Sequence, residues 1–253
     1  MNGFKALLKK ELKEQLRTNR IIIVAVVFLF FGIATPPLTK FLPELVKMAG
    51  DIALDIPPPT AIQALIEYAA TMSQFGVLVI VLVAMGAISK ERESGTAAIV
   101  LSKPVGYPAF VVAKFVVLSV TTTIGVILGA LACWGYTLLL FDNAPALGFF
   151  AQNILLLLYL LLAIAITLLF SSIFRSQLAA GALGLVTVVV LTILSSLPWV
   201  GKYLPGELLN WGIRLVDDGP DKAAWWAVVV ICILIAAIVY LTWTILRKKE
   251  LSR

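Results

Sequence analysis

Residues able to carry chemistry concentrate in one stretch. Lys90, Glu91, Arg92 and Glu93 are followed by Ser94-Gly95-Thr96, an apolar run from Ala97 to Leu101, and then Ser102-Lys103-Pro104-Val105-Gly106-Tyr107. Carboxylates flanking a guanidinium form charge-assisted hydrogen bonds to a partner surface, and an apolar run between charges suits a groove in that partner. The chemistry is docking, not turnover. The chain contains no histidine, which removes imidazole as base, triad member or metal ligand. Cys133 and Cys232 stand alone in apolar runs, without the spacing of a zinc site. No Gly-x-x-x-x-Gly-Lys-Ser/Thr loop cradles a phosphate. No Asp or Glu lies mid-way along an apolar run, where ion-coupled carriers keep their titrating group. The expectation is a chain with no catalytic residue, no metal ligand set and no cofactor of its own.

The elements that must position this stretch are apolar. The 253 residues are 61% hydrophobic and 13% charged, with a mean hydropathy of +1.02. Soluble domains are about half apolar and about a quarter charged. The expected fold class is therefore an all-α polytopic membrane protein, read as one transmembrane domain over residues 1–253. Spans are expected at about 21–38, 68–88, 109–141, 147–170, 178–197 and 223–246. Their apolar parts, about 18 to 27 residues with the third counted from Phe115, match the roughly 20 that a helix needs to cross the hydrocarbon, tilt taking up the excess. Pro36-Pro37 is read as the end of the first span, and residues 42–52 and 61–68 as possible short helices of the Pro-rich loop that follows.

Residues 1–20 space Phe4, Leu7, Leu8, Leu12 and Leu16 at helical intervals, with Lys5, Lys9, Lys10, Lys13, Arg17 and Arg20 on the other faces. That pattern is a basic amphipathic helix in the membrane interface, its cations toward anionic lipid. A cleaved signal peptide is disfavoured because Glu11 and Glu14 interrupt the basic region and prolines follow Ala34. Residues 89–108 form a cytoplasmic loop. Residues 198–222 mix Trp199 and Trp211 with Asp217, Asp218 and Asp221, which suits a re-entrant or interfacial segment on the outer side. With both termini inside, the only basic residues that fall outside are Lys40, Lys47, Lys202, Arg214 and Lys222, so the net charge of +6 reflects the positive-inside bias and not nucleic-acid binding. Gly125 and Gly129 form a small-residue pair suited to helix packing.

The central stretch resembles the loop between the second and third spans of ABC-2 type transporter permeases. Glu91 and Glu93 around Arg92, then Gly95-Thr96, Leu101-Ser102, Pro104-Val105 and, after a gap, Lys114-Phe115 carry the likeness. Gly106-Tyr107 replaces the Ser-Arg that often follows in the family. The resemblance implies a coupling helix that docks on a separate ABC ATP-binding subunit, which would hold ATP and Mg. It implies a second permease copy or paralogue, export across the cell membrane, and an ATPase-coupling set of Glu91, Arg92, Glu93, Gly95, Thr96, Leu101, Pro104 and Arg175. It also places the second and fifth spans at the permease dimer interface, which makes Ser73, Gln74, Thr187 and Thr192 the candidate pathway residues. Two other classes stay open at this point. A membrane scaffold or assembly factor would dock a cytoplasmic partner without transport, and an ion-coupled carrier would run on a gradient without ATP.

Overall fold

The computed structural model describes residues 2–49, 58–94, 106–141, 144–197, 199–217 and 224–251. They form eight α-helices: α1 (Asn2–Arg17), α2 (Arg20–Ala49), α3 (Ala61–Glu93), α4 (Tyr107–Leu140), α5 (Ala146–Ile173), α6 (Gln177–Leu194), α7 (Gly206–Asp217) and α8 (Trp225–Leu251). No strand occurs among the described residues. Six of the helices, all but α1 and α7, are long and apolar enough to cross a membrane. The chain is an all-α polytopic membrane protein.

α1 buries Leu7 and turns Lys5, Lys9, Lys13 and Arg17 outward. It ends where Asn19 adopts φ 57°, a left-handed conformation that Asn tolerates better than most residues because its side chain can bond locally. α2 then starts at once. It does not stop at Pro36-Pro37 but runs on to Ala49 through Pro36, Pro37 and Pro43. In hydrocarbon a helix end exposes four carbonyls with no water to meet them, so continuing through a proline costs less than stopping. Thr35 and Thr39 fold their hydroxyls back onto their own helix, donating to the carbonyls of Phe31 and Thr35 at 2.7 and 3.0 Å. Likewise residues 61–68 are not a separate helix. Thr60 caps α3 by accepting from Gln63 N at 3.2 Å, and the helix continues from Ala61 to Glu93, interrupted only by a π turn at Met72–Gly76 and a loosened turn at Met85.

α2 and α4 cross closely because glycines line the crossing. A Cβ on Gly32 would collide with the Gly129 carbonyl, and one on Gly125 would lie 2.7 Å from Val24. Without hydrophobic drive between helices in lipid, such backbone proximity is what dispersion forces reward. Lys40 closes the far end by donating to the Leu140 carbonyl at 2.6 Å, a cation at a helix C-terminus.

α5 is the central column, with 67% of its most apolar stretch buried against 11% for α8. It packs on α3, α4, α6, α7 and α8. α7 is a short helix seated on the first turns of α5, where Gly148 meets the Leu215 carbonyl and Gly212 meets Gln152. At the opposite end of the bundle α1 meets the end of α3, and the ends of α3 and α8 both meet the last turn of α5.

Candidate functional site

The end of the bundle that carries α1 is knit by charge. Lys114, on the second turn of α4, has a side chain only 2% exposed, and an ammonium in such a place must be paired. Its Nζ donates to Glu11 Oε2 of α1 and to Glu91 Oε1 of α3, at 3.0 Å each, and sits 4.8 Å from the centre of the Phe110 ring. Lys10 approaches from the solvent side and donates to Glu91 Oε1 at 2.6 Å and to Glu11 Oε1 at 3.0 Å, with Glu14 Oε2 at 3.6 Å. Burial pulls the Lys10 ammonium down, but the Glu91 hydrogen bond and the charges of Glu11 and Glu91 outweigh it and hold its pKa above the ordinary lysine range. Three helices distant in sequence are thus tied by two cations and three carboxylates.

Glu11, Glu14 and Glu91 each present a carboxylate oxygen within 4.8 Å of the others. A divalent ion would have oxygen ligands there, yet the two ammonium groups already supply positive charge at hydrogen-bonding distance. The chemistry of the donor set favours a structural ion network over a metal site.

A second lock sits one helix away. Ser171 Oγ accepts from the backbone N–H groups of Ile88 and Ser89 at 3.1 and 2.9 Å, and donates to the Met85 carbonyl at 2.8 Å. A hydroxyl inserted into the backbone ladder is a recognised cause of a local distortion, and here it accounts for the loosened turn at Met85. Arg92 Nη1 donates to the Ser172 carbonyl and Lys249 Nζ to the Ile173 carbonyl, both at 2.6 Å. The last turn of α5 is therefore capped by cations from α3 and α8. Arg92, Arg175 and Lys249 stand close enough for their charges to interact.

The expected coupling residues separate into groups. Glu91 points into the bundle, with its residue only 8% exposed. Arg92 is half-buried against α5, while Lys90, Glu93 and Arg175 are exposed at the same end. Gly95, Thr96, Leu101 and Pro104 lie outside the described residues. Of the candidate pathway residues, Ser73, Thr187 and Thr192 donate to carbonyls of their own helices, and Thr192 also pairs with the Tyr159 hydroxyl at 2.9 Å. Gln74 differs. It is exposed on the π turn of α3, and its amide makes no hydrogen bond among the described residues.

The residues that sequence reading passed over are Lys10, Glu11, Glu14 and Lys114 as one network, and Ser171 and Ser172 as the second lock. Lys114 carried a signal. It is the one charged residue between Lys103 and Asp142, and an isolated cation in an apolar run needs a buried partner. Nothing in sequence marks the serines.

Residues 5–204 match the model of a family described as ABC-2 family transporter protein. The chain belongs to the ABC-2 transporter family. It is also 26% identical over 246 residues to an uncharacterized transmembrane protein, YxlG, of Bacillus subtilis (strain 168), an alignment covering 94% of this chain and 95% of that protein. As an ABC-2 family member with six long apolar helices, this chain is a multi-pass membrane protein of a transporter family. The matched region contains both locks up to Ser172, with Lys249 of the second lock beyond it.

Proposed function

We propose that this ABC-2 family chain is the permease subunit of an ATP-driven exporter of the cell membrane, that it pairs with a second permease, and that a separate ABC ATP-binding subunit supplies the hydrolysis. The observation that carries this reading is the double anchoring of the last turn of α3, immediately before residues 95–105. Glu91 ties that turn to α1 and α4, and Arg92 ties it to α5. A segment pushed by a cytoplasmic ATPase transmits force only if its base is rigid, and here its displacement moves three helices together. In this scheme both termini are cytoplasmic, consistent with α1 and the end of α8 lying at the same basic end of the bundle. ATP binding closes the ATPase pair, the docked segment carries that movement into α3, and the permease pair opens outward.

Glu93, Lys90 and Arg175, exposed beside the docking segment, are side chains that can meet the ATPase, whereas Glu91 holds that segment in place. The two roles separate in an experiment. The chain is co-expressed with the ABC ATP-binding proteins of its source genome and purified from membranes as wild type, as Glu93→Lys/Arg175→Glu, and as Glu91→Gln. The surface pair is expected to lose the ATPase while keeping wild-type thermal stability. Glu91→Gln is expected to lose stability. If wild type captures no ATP-binding protein, or the surface pair captures it unchanged and supports full hydrolysis, the reading fails.

A further inference from the structure

An apolar cleft of about 490 Å³ opens between α4 and α8. Val111 and Phe115 form one wall, and Cys232, Val239, Tyr240 and Trp243 form the other. Tyr240 and Trp243 meet edge-to-face with ring centres 5.0 Å apart. The cleft lies at the end of the bundle that bears the ion network, since its α4 wall is the first turns of that helix, beside Lys114.

Depth argues for what fills it. Cys232 to Trp243 covers about 16 Å of helix at 1.5 Å per residue, close to one leaflet of a hydrocarbon core about 30 Å thick. Both walls belong to membrane-crossing helices, so the cleft faces acyl chains. Charge argues for the headgroup. The α8 wall residues recur at helical spacing, and Arg247 continues the same stripe one turn beyond Trp243, about 6 Å along the axis. Arg247 is exposed and makes no hydrogen bond or ion pair among the described residues. A Trp at the headgroup level with a cation one turn further out is the arrangement that meets a phospholipid at the membrane surface.

We infer that this cleft is a binding site for one anionic phospholipid, an acyl chain lying along Val111, Phe115 and Val239 and the phosphate on Arg247. The site is independent of ATPase docking. Occupancy would fill the space between α8 and the rest of the bundle, which α8 otherwise contacts chiefly through α5.

Native mass spectrometry of the full chain tests this, with the protein released from micelles containing equal amounts of phosphatidylglycerol and phosphatidylcholine. Wild type is expected to retain one lipid, with phosphatidylglycerol favoured about five-fold, the size of one cation's contribution at a membrane surface. Arg247→Gln should abolish the preference but keep a lipid, and Ala236→Trp, which fills the cleft, should lose the retained lipid. Circular dichroism and thermal unfolding of both variants show whether each is folded. If Ala236→Trp folds yet retains the same lipid, or Arg247→Gln keeps the preference, the assignment is overturned. If Ala236→Trp instead changes the number of protein copies, the cleft holds a second chain and not a lipid.

Discussion

Replacing Lys114 with Met keeps most of the side-chain length and removes the charge. Glu11 Oε2 and Glu91 Oε1 then each lose a partner at 3.0 Å, in a place where their side chains are 8% and 11% exposed. Removing one member of a buried ion pair costs about 3–5 kcal/mol, because the charge left behind stays desolvated. Lys10 still reaches Glu91 at 2.6 Å and Glu11 at 3.0 Å, so the cost here should fall toward the lower end, about 3 kcal/mol. Glu91→Gln alone deprives both lysines of a carboxylate and is also destabilising. In the Lys114→Met background, however, Glu91→Gln removes a carboxylate that has already lost its buried ammonium partner and is held by the half-exposed Lys10. The double variant should therefore be about 1–3 kcal/mol more stable than the sum of the single effects, within the range seen for coupled neighbours.

The assay is thermal or denaturant unfolding in detergent, followed by the fluorescence of the six tryptophans, on wild type, both single variants and the double. Lys114→Arg serves as the conservative control and should recover part of the loss. A Lys114→Met cost below about 0.5 kcal/mol, or additivity within about 0.5 kcal/mol, would refute the claim that these charges hold α1, α3 and α4 together.

Four further outcomes can be checked with the same purified protein. Ser171→Ala leaves the N–H groups of Ile88 and Ser89 without their hydroxyl partner and should cost about 1–3 kcal/mol, whereas Ser171→Thr, which keeps the hydroxyl, should cost less. Gly129→Val pushes a side chain into the Tyr68 hydroxyl and the Phe28 carbonyl, 2.5 and 2.8 Å from an ideal Cβ, and should destabilise by at least about 1–3 kcal/mol; Gly135→Ala, with nothing within 4 Å, should be neutral or stabilise by up to about 1 kcal/mol. Because the Lys10 pKa is raised in the folded protein, its contribution is fully present below the ordinary lysine value of about 10.4 and is lost only as pH rises beyond it. The stability difference between wild type and Lys10→Met should then stay flat from about pH 6 to pH 9, and a decline in that window would contradict the pairing. Finally, Gln74→Leu should leave folding intact, since its amide has no partner among the described residues, and any loss of transport without loss of stability would mark the π turn as part of the path.

The spans were legible because hydrocarbon permits few alternatives: an apolar run of about 20 residues must satisfy its backbone internally, and a helix does so. Their ends were less legible for the same reason. Pro36-Pro37 is a stop signal in water, where freed carbonyls are solvated, but in lipid it is outweighed by the exposure that stopping would cause. The rule failed because its solvent had changed.

The site was half legible, and the division follows sequence distance. A run of charge such as Glu91-Arg92-Glu93 announces itself, but what each member does depends on which way the helix end faces. That is fixed by residues 80 or so positions away, Lys10 and Glu11 on one side and Ser172 on the other. Neighbours in sequence on a helix diverge by about 100°, so Glu91 turns inward to Lys114 while Glu93 is left outside. The charge that looked most suited to a partner is therefore spent within the chain. On the proposed permease reading, Glu93, Lys90 and Arg175 are exposed where an ATPase would dock, together with residues 95–105. A docking surface built this way would tolerate change at its contact residues more readily than at Glu91 and Lys114, because losing a contact weakens one interface while losing the network frees the base on which the whole segment stands.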